Sequence, residues 1–157
     1  MKTWTQQHMT ADPNLVEVTL KSDLKSVETA EEMAHQVSET AGLDEEDQHK
    51  VEMAVHESMI NAVCHGNKYD AAKRVWLRFQ VFPDRLEIRV RDQGEGFDPG
   101  SLPDPLESEN LLRISGRGIF LIRAFMDDFR VQRLPGIGTE VTLIKRIASN
   151  RKLNQGG

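Results

Sequence analysis

Cysteine is almost missing from this chain of 157 residues, since Cys64 is the only one. A single cysteine excludes an intramolecular disulfide and a thiolate-bound metal cluster. Long apolar runs are missing too. No stretch approaches the roughly 20 residues of a membrane-spanning helix, and the segment from Met1 to Ala11 lacks the apolar core of a signal peptide. We therefore expect a cytoplasmic protein that does not enter a membrane.

An excess of basic residues is also lacking. The formal net charge is −5, with 20 Lys and Arg against 25 Asp and Glu, which argues against nucleic acid as the main partner. Hydrophobic residues make up 38% and charged residues 29%, as in an ordinary globular domain. We expect one domain over 1–157, with a core at about 15–147 and a flexible polar tail at 148–157.

Several common ligand-binding motifs are absent. The chain has no Walker A lysine motif and no dinucleotide-binding GxGxxG. His56-Glu57 does not begin a zinc-binding HExxH, because Ile60 stands where the second histidine belongs. The Asp92 segment is not a calcium-binding EF-hand loop, because Pro103 replaces its bidentate glutamate. A nucleotide or metal site in this chain must therefore use other residues.

Alternating apolar residues predict five strands, since every second side chain of a strand faces the same side. The alternating runs are Val16/Val18/Leu20, Val75/Leu77/Phe79/Val81, Leu86/Ile88/Val90, Phe129/Val131 and Val141/Leu143. The second and third runs flank Pro83-Asp84 and predict an antiparallel hairpin.

Three helices are predicted between and around these strands. The apolar stripe of the first consists of Val27, Ala30, Ala34, Val37 and Ala41. Gly42 is placed to end this helix with a left-handed cap. The second helix runs from Asp44 to about His65, and a short third one spans 119–126. Because helices precede the hairpin instead of alternating with strands, we predict an α+β fold: a two-layer sandwich of helices on a mixed, mostly antiparallel sheet.

A polar stripe of Glu57, Asn61 and His65 follows the second predicted helix at i, i+4 and i+8. It lies between two apolar faces, so a carboxylate and an amide are expected in a largely buried position that demands partners. An Asn oxygen suits Mg²⁺, and a Glu one turn earlier can accept a proton from an attacking hydroxyl. The alternative interpretation is that the stripe simply reaches solvent.

Asp92 begins a short Asp-x-Gly-x-Gly turn. It has the same strand parity as the apolar residues before it, so it points between sheet and helices at the strand's end. Gly94 and Gly96 let the backbone turn tightly and approach a flat ligand. The alternative is a plain turn.

Ser115 is a good helix N-cap, followed by Gly116-Arg117-Gly118. Free amides and the helix dipole at such a start favour phosphate groups, and Arg113 or Arg117 could add charge toward a γ-phosphate. Thr139 shares the inward parity of the last strand and is expected to complete the pocket.

In this order, the segments resemble the N, G1, G2 and G3 boxes of the GHKL ATPase superfamily. They run from Glu57 to Asn67, from Arg91 to Gly96, from Ser115 to Phe120, and over Gly138-Thr139. The resemblance is closest to the small bacterial anti-sigma factor serine kinases of partner-switching systems, and it covers nearly the whole chain.

This resemblance implies the Bergerat ATP-binding fold and a regulatory kinase that phosphorylates a serine on an anti-sigma-factor antagonist. ATP and Mg²⁺ would be its cofactors, a sigma factor and the antagonist its partners, and close members commonly form homodimers. Glu57 would be the catalytic base, Asn61 the Mg²⁺ ligand and Asp92 the acceptor for the adenine amino group. The remaining site residues would be Arg113 for catalysis and Gly94, Gly96, Ser115, Gly116, Arg117, Gly118 and Thr139 around the nucleotide.

The chain departs from the family pattern at one position. Kinases of this family tend to carry a lid arginine directly before the Ser-Gly pair, and Ile114 stands there. Arg113 or Arg117 could take its role. The alternative is a nucleotide-gated module that binds sigma factor or antagonist with little or no kinase activity.

Overall fold

The computed structural model describes residues 12–94 and 118–148, which form a five-stranded sheet with helices on one face. The strands are β1 (Leu15–Lys21), β2 (Arg74–Val81), β3 (Arg85–Arg91), β4 (Asp128–Leu134) and β5 (Gly138–Arg146). Their order is β1-β2-β3-β5-β4, and every neighbouring pair is antiparallel. The predicted α+β sandwich is confirmed, and within the described residues its sheet contains antiparallel pairs alone.

The core lies between the sheet and the helices. The strand register aligns the apolar side chains across the sheet, because Leu77 on β2 stands opposite Val90 on β3, and Val90 stands opposite Val141 on β5. Alternate residues of the strands thus form one continuous apolar surface, which the helices cover. Phe79 and Leu143 are fully buried in it.

The first helix, α1, spans Leu24–Thr40. Its N-cap is Asp23, whose Oδ1 accepts the Ser26 main-chain N–H at 2.9 Å. Gly42 follows with φ of 91°, the left-handed conformation expected from the sequence.

The second helix, α2, spans Glu45–Ile60 and is capped by Asp44, whose Oδ1 accepts the Asp47 main-chain N–H at 2.8 Å. Three acidic residues in its first turn complement the helix dipole. The chain then continues without a break into a π-helical turn over Asn61–Gly66. The helix predicted to about His65 is therefore confirmed in extent, but its last turn is wider than the sequence suggested.

A third helix, α3, occupies 118–125 and leads into β4. Its Ile119 and Ile122 are buried in the core, as the sequence predicts for a short buried helix. Among residues 12–94 and 118–148, no helix combines the length and the hydrophobicity needed to cross a bilayer.

Candidate functional site

Asp92 follows β3 at the edge of the core and is only 7% exposed. Its Oδ1 accepts two main-chain hydrogen bonds, from Gly94 at 2.9 Å and from Thr139 at 3.1 Å. The Asp92 N–H in turn donates to the Thr139 carbonyl at 2.9 Å. One carboxylate oxygen is thus committed to the protein backbone, and this fixes the direction of the other.

Three glycines surround this carboxylate at close range. A Cβ at Gly66 would collide with Asp92 Oδ2, and one at Gly138 would collide with the Asp92 carbonyl. A Cβ at Gly94 would collide with the Gly66 carbonyl. The π-helical turn, the Asp92 loop and the start of β5 therefore meet closer than any side chain would permit.

Asn67 ties the end of the π-helical turn to the Asp92 loop and is 1% exposed. Its Oδ1 accepts the Gln93 main-chain N–H at 2.8 Å, and its Nδ2 donates to the Arg74 carbonyl at 2.9 Å. The loop is closed from the other side by Gln93, whose Oε1 accepts the Arg74 main-chain N–H at 2.6 Å. Because Asn67 itself is buried, its two hydrogen bonds fix the loop relative to the neighbouring strand.

Burial raises the pKa of Asp92 above its ordinary value, because the ionised carboxylate is largely withdrawn from water. The hydrogen bonds from Gly94 and Thr139 act in the opposite direction, as do the positive charges of Arg133 and Lys73, without cancelling the effect of burial. The fold thus holds a carboxylate where its charge is unfavourable. A carboxylate whose pKa is shifted by burial is a candidate for a functional site.

The polar stripe of α2 lies where the helix changes from α to π. Glu57 is 16% exposed and Asn61 8% exposed, whereas His65 is exposed. The interpretation that the whole stripe reaches solvent is therefore wrong for Asn61, whereas Glu57 keeps partial contact with solvent. π-Helical turns are frequent at functional sites because they redirect side chains within a helix.

Asn61 Oδ1 is buried and has no hydrogen-bond partner among the described residues. An unpartnered buried oxygen is costly, so a ligand for it is expected. A neutral oxygen donor fits Mg²⁺, which takes its other ligands from water and phosphates. The described part of the chain offers no cluster of three His, Cys, Asp or Glu for a metal held by protein alone.

The structure brings the predicted N-box and Asp92 segments together, through the contacts of Gly66 and Gly94. Thr139 joins them through its backbone. Gly118 is buried at the start of the described α3. The other predicted site residues lie outside the described residues: Gly96, Arg113, Ser115, Gly116 and Arg117.

Three contributors to the site were not assigned that role from the sequence. The sequence patterns include Gly66, Asn67 and Gly138 only as members of the motif segments and give none of them a separate role. Their contacts with Asp92 and its loop join positions far apart in the chain. The only local signal was the glycine at a helix end.

Comparison with known proteins identifies the family of the chain. The model of the histidine kinase-like ATPase domain family matches residues 20–145. The serine-protein kinase RsbW of Bacillus licheniformis is 37% identical over 112 residues, which cover 68% of this chain and 70% of that protein. RsbW of Staphylococcus epidermidis is 34% identical over 123 residues, covering 74% and 76%.

A solved histidine kinase domain, from the blue-light activated histidine kinase of Erythrobacter litoralis EL346, superposes with a TM-score of 0.50. The match covers 95% of this chain and 71% of that one at 19% identity, so it bears on the fold alone. The resemblance read from the motifs is confirmed by the family model and by the RsbW relatives. The chain belongs to the histidine kinase-like ATPase domain family and groups within it with the RsbW serine-protein kinases.

Proposed function

We propose that this protein is an ATP-dependent serine kinase of a partner-switching pathway, which binds a sigma factor and phosphorylates a serine on the antagonist protein. The observation that carries the proposal is the fixed, buried carboxylate of Asp92 beside the end of the helix that carries Glu57 and Asn61. The similarity of the chain to the RsbW serine-protein kinases supports phosphorylation of a serine as the reaction type. In this proposal the domain works in the cytoplasm as a single unit.

Asp92 would read the adenine ring. Its Oδ1 is used by two backbone N–H groups, so Oδ2 is the oxygen available to accept a hydrogen bond from the adenine amino group. Guanine carries a carbonyl oxygen at that place and would bring a second acceptor against the carboxylate. The three surrounding glycines would let the flat base approach the backbone.

Asn61 would hold Mg²⁺ together with the ATP phosphates, and the ion would offset their negative charge. Glu57, one helical turn earlier, would accept the proton of the substrate serine. As that proton leaves, the serine oxygen forms a bond to the γ-phosphorus and the bond between the γ-phosphorus and the ADP oxygen breaks. The protein's contribution would be positioning and neutralisation of charge, as in other phosphoryl transfers.

The deciding experiment is incubation of the protein with γ-labelled ATP and each candidate antagonist encoded in the same genome. We expect labelled phosphoserine on one antagonist, and loss of the label when Asp92 is changed to Asn.

The second candidate is the nucleotide-gated binding module, favoured by Ile114 at the position of the lid arginine. Tight Mg-ATP binding without phosphoserine on any antagonist would establish that module and exclude the kinase.

A further inference from the structure

Two histidine–glutamate pairs join α1 to α2, one helical turn apart. In the first, His35 of α1 contacts Glu52 of α2, with Nδ1 and Oε2 2.8 Å apart. In the second the residue types are exchanged: Glu31 of α1 contacts His56 of α2, with Oε2 and Nδ1 2.7 Å apart. The partners are four residues apart on each helix, so the two pairs form equivalent cross-links between the helices.

The second pair differs from the first in what its ring touches next. Nε2 of His56 lies 3.8 Å from Oε2 of Glu57. The ring therefore stands between two carboxylates, one on α1 and one that belongs to the stripe facing the proposed phosphate site. His35 is half exposed, and its pair contacts neither Glu57 nor Asn61.

The approach of His56 to Glu57 depends on the direction of the imidazole ring. Consecutive helix residues point about 100° apart and do not normally face each other. Glu31 fixes the ring by its hydrogen bond to Nδ1, and this leaves Nε2 turned toward Glu57. At 3.8 Å the second contact is longer than a hydrogen bond, and hydrogen bonds of catalytic groups are often this long until the substrates are bound.

We propose that His56, held by Glu31, is a positioning residue for the proposed base Glu57. The ring lies against Oε2 of Glu57, so Oε1 is the oxygen that stays available for the substrate hydroxyl. The inference rests on the proposed function, since it assigns His56 a role only through Glu57. Groups that orient a catalytic side chain usually matter nearly as much as the group itself.

The test compares two substitutions of the same ring, His56→Asn and His56→Gln. An Asn amide reaches the place of Nδ1 and can still contact Glu31, whereas a Gln amide reaches the place of Nε2 and can still contact Glu57. We expect His56→Asn to lower the single-turnover rate of ADP formation by about 10- to 100-fold, as a misplaced reacting group would. His56→Gln should retain more of the rate, and Glu31→Gln should lower it less than His56→Asn.

The matched control is the first pair, changed to His35→Asn and Glu52→Gln. These variants lose an equivalent cross-link between α1 and α2, so any effect of helix packing appears in them too. ADP formation would be measured with the antagonist serine as acceptor and with water as acceptor. KM for ATP should stay within about threefold in all variants, because His56 is expected to act on the rate of the chemical step.

Glu57→Gln, alone and combined with His56→Asn, separates the possible outcomes. If Glu57→Gln and His56→Asn are each slow, and His56→Asn slows Glu57→Gln no further, the two residues act as one unit and the inference stands. If Glu57→Gln is slow and His56→Asn turns over ATP like wild type or like the His35 control, the inference is overturned and the proposed function survives. If Glu57→Gln is as fast as wild type, the base assignment fails and the positioning role falls with it.

Discussion

The two ends of the proposed nucleotide site are built in different ways. At the adenine end, Asp92 is held by backbone hydrogen bonds from Gly94 and Thr139 and is enclosed by glycines. At the phosphate end, Glu57 and Asn61 project from a single helix, and Asn61 Oδ1 has no partner in the described part of the chain. One end is fixed by main-chain contacts among three segments, and the other consists of side chains that we propose bind ligands.

We therefore expect that nucleotide recognition and phosphotransfer can be altered separately. Main-chain contacts determine the shape and polarity of the adenine end, so changes there should alter which nucleotide binds and how tightly. Changes at the phosphate end should alter rate and metal dependence while leaving adenine recognition in place.

The largest expected effect is on the rate, at the phosphate end. Glu57→Gln keeps the size of the side chain but removes the proton acceptor, so we expect phosphotransfer to slow by roughly 10²–10⁴-fold. ATP affinity should change by no more than a few-fold, since Asp92 is untouched. Rapid-quench transfer assays and calorimetry measure the two quantities in parallel. Transfer at the wild-type rate would exclude Glu57 as the base.

The next effect is on affinity, at the adenine end. Asp92→Asn keeps an oxygen for the Gly94 and Thr139 N–H groups but turns the second acceptor into a donor facing the adenine amino group. ATP affinity should fall by roughly 10- to 100-fold, the loss of a charge-assisted hydrogen bond worth about 1.5–3 kcal/mol. Wild-type protein should bind GTP poorly. Equal calorimetric affinities for ATP and GTP would remove Asp92 from its role.

The third effect concerns the metal. Asn61→Ala should lower the affinity for ATP in the presence of Mg²⁺ by roughly tenfold, toward the value measured with EDTA, because the ion loses its protein ligand. Ser58→Ala is a matched control, since Ser58 is another buried polar residue of α2, 1% exposed, and is not assigned to the metal. A normal response to Mg²⁺ in Asn61→Ala would contradict the assignment.

The fourth effect tests whether Asn67, at the end of the π-helical turn, holds the Asp92 loop in place. Asn67→Ala leaves the Gln93 N–H and the Arg74 carbonyl without their buried partner, which should cost about 1–3 kcal/mol of unfolding free energy. ATP affinity should fall with it, because the Asp92 loop loses its anchor. Asn14→Ala, at an exposed position, should change stability by less than about 0.5 kcal/mol. Chemical denaturation measures both variants, and equal stabilities would show that the Asn67 contacts do not hold the loop.

Sequence patterns were sufficient to predict the fold because each helix and strand has its own periodic spacing of apolar residues. Alternation on β2 and β3 and the stripe on α1 follow from burying one side of each element. The inward direction of Asp92 followed from strand parity in the same way. The site details were not predictable locally: Gly66 of the π-helical turn lies close to Asp92, 26 positions further along the chain, and Asn67 bonds to residues 7 and 26 positions away.

The smallest expected effect separates stability from function at Asp92. Burial raises the pKa of Asp92 in the folded state above the ordinary value of 3.8, so its ionisation weakens the fold. Without nucleotide, Asp92→Asn should therefore be as stable as wild type or more stable at neutral pH, although it binds ATP poorly. The stability difference should shrink as the pH falls through the raised pKa and vanish below about 3.8, where Asp92 is protonated in both the folded and the unfolded state. Thermal unfolding of both proteins across pH 3–8, in the absence of nucleotide, measures this difference directly. The prediction would be contradicted by a variant that is less stable than wild type at neutral pH and regains wild-type stability in acid. That result would mean that the fold favours the ionised carboxylate, because its hydrogen bonds and nearby positive charges outweigh the cost of burial.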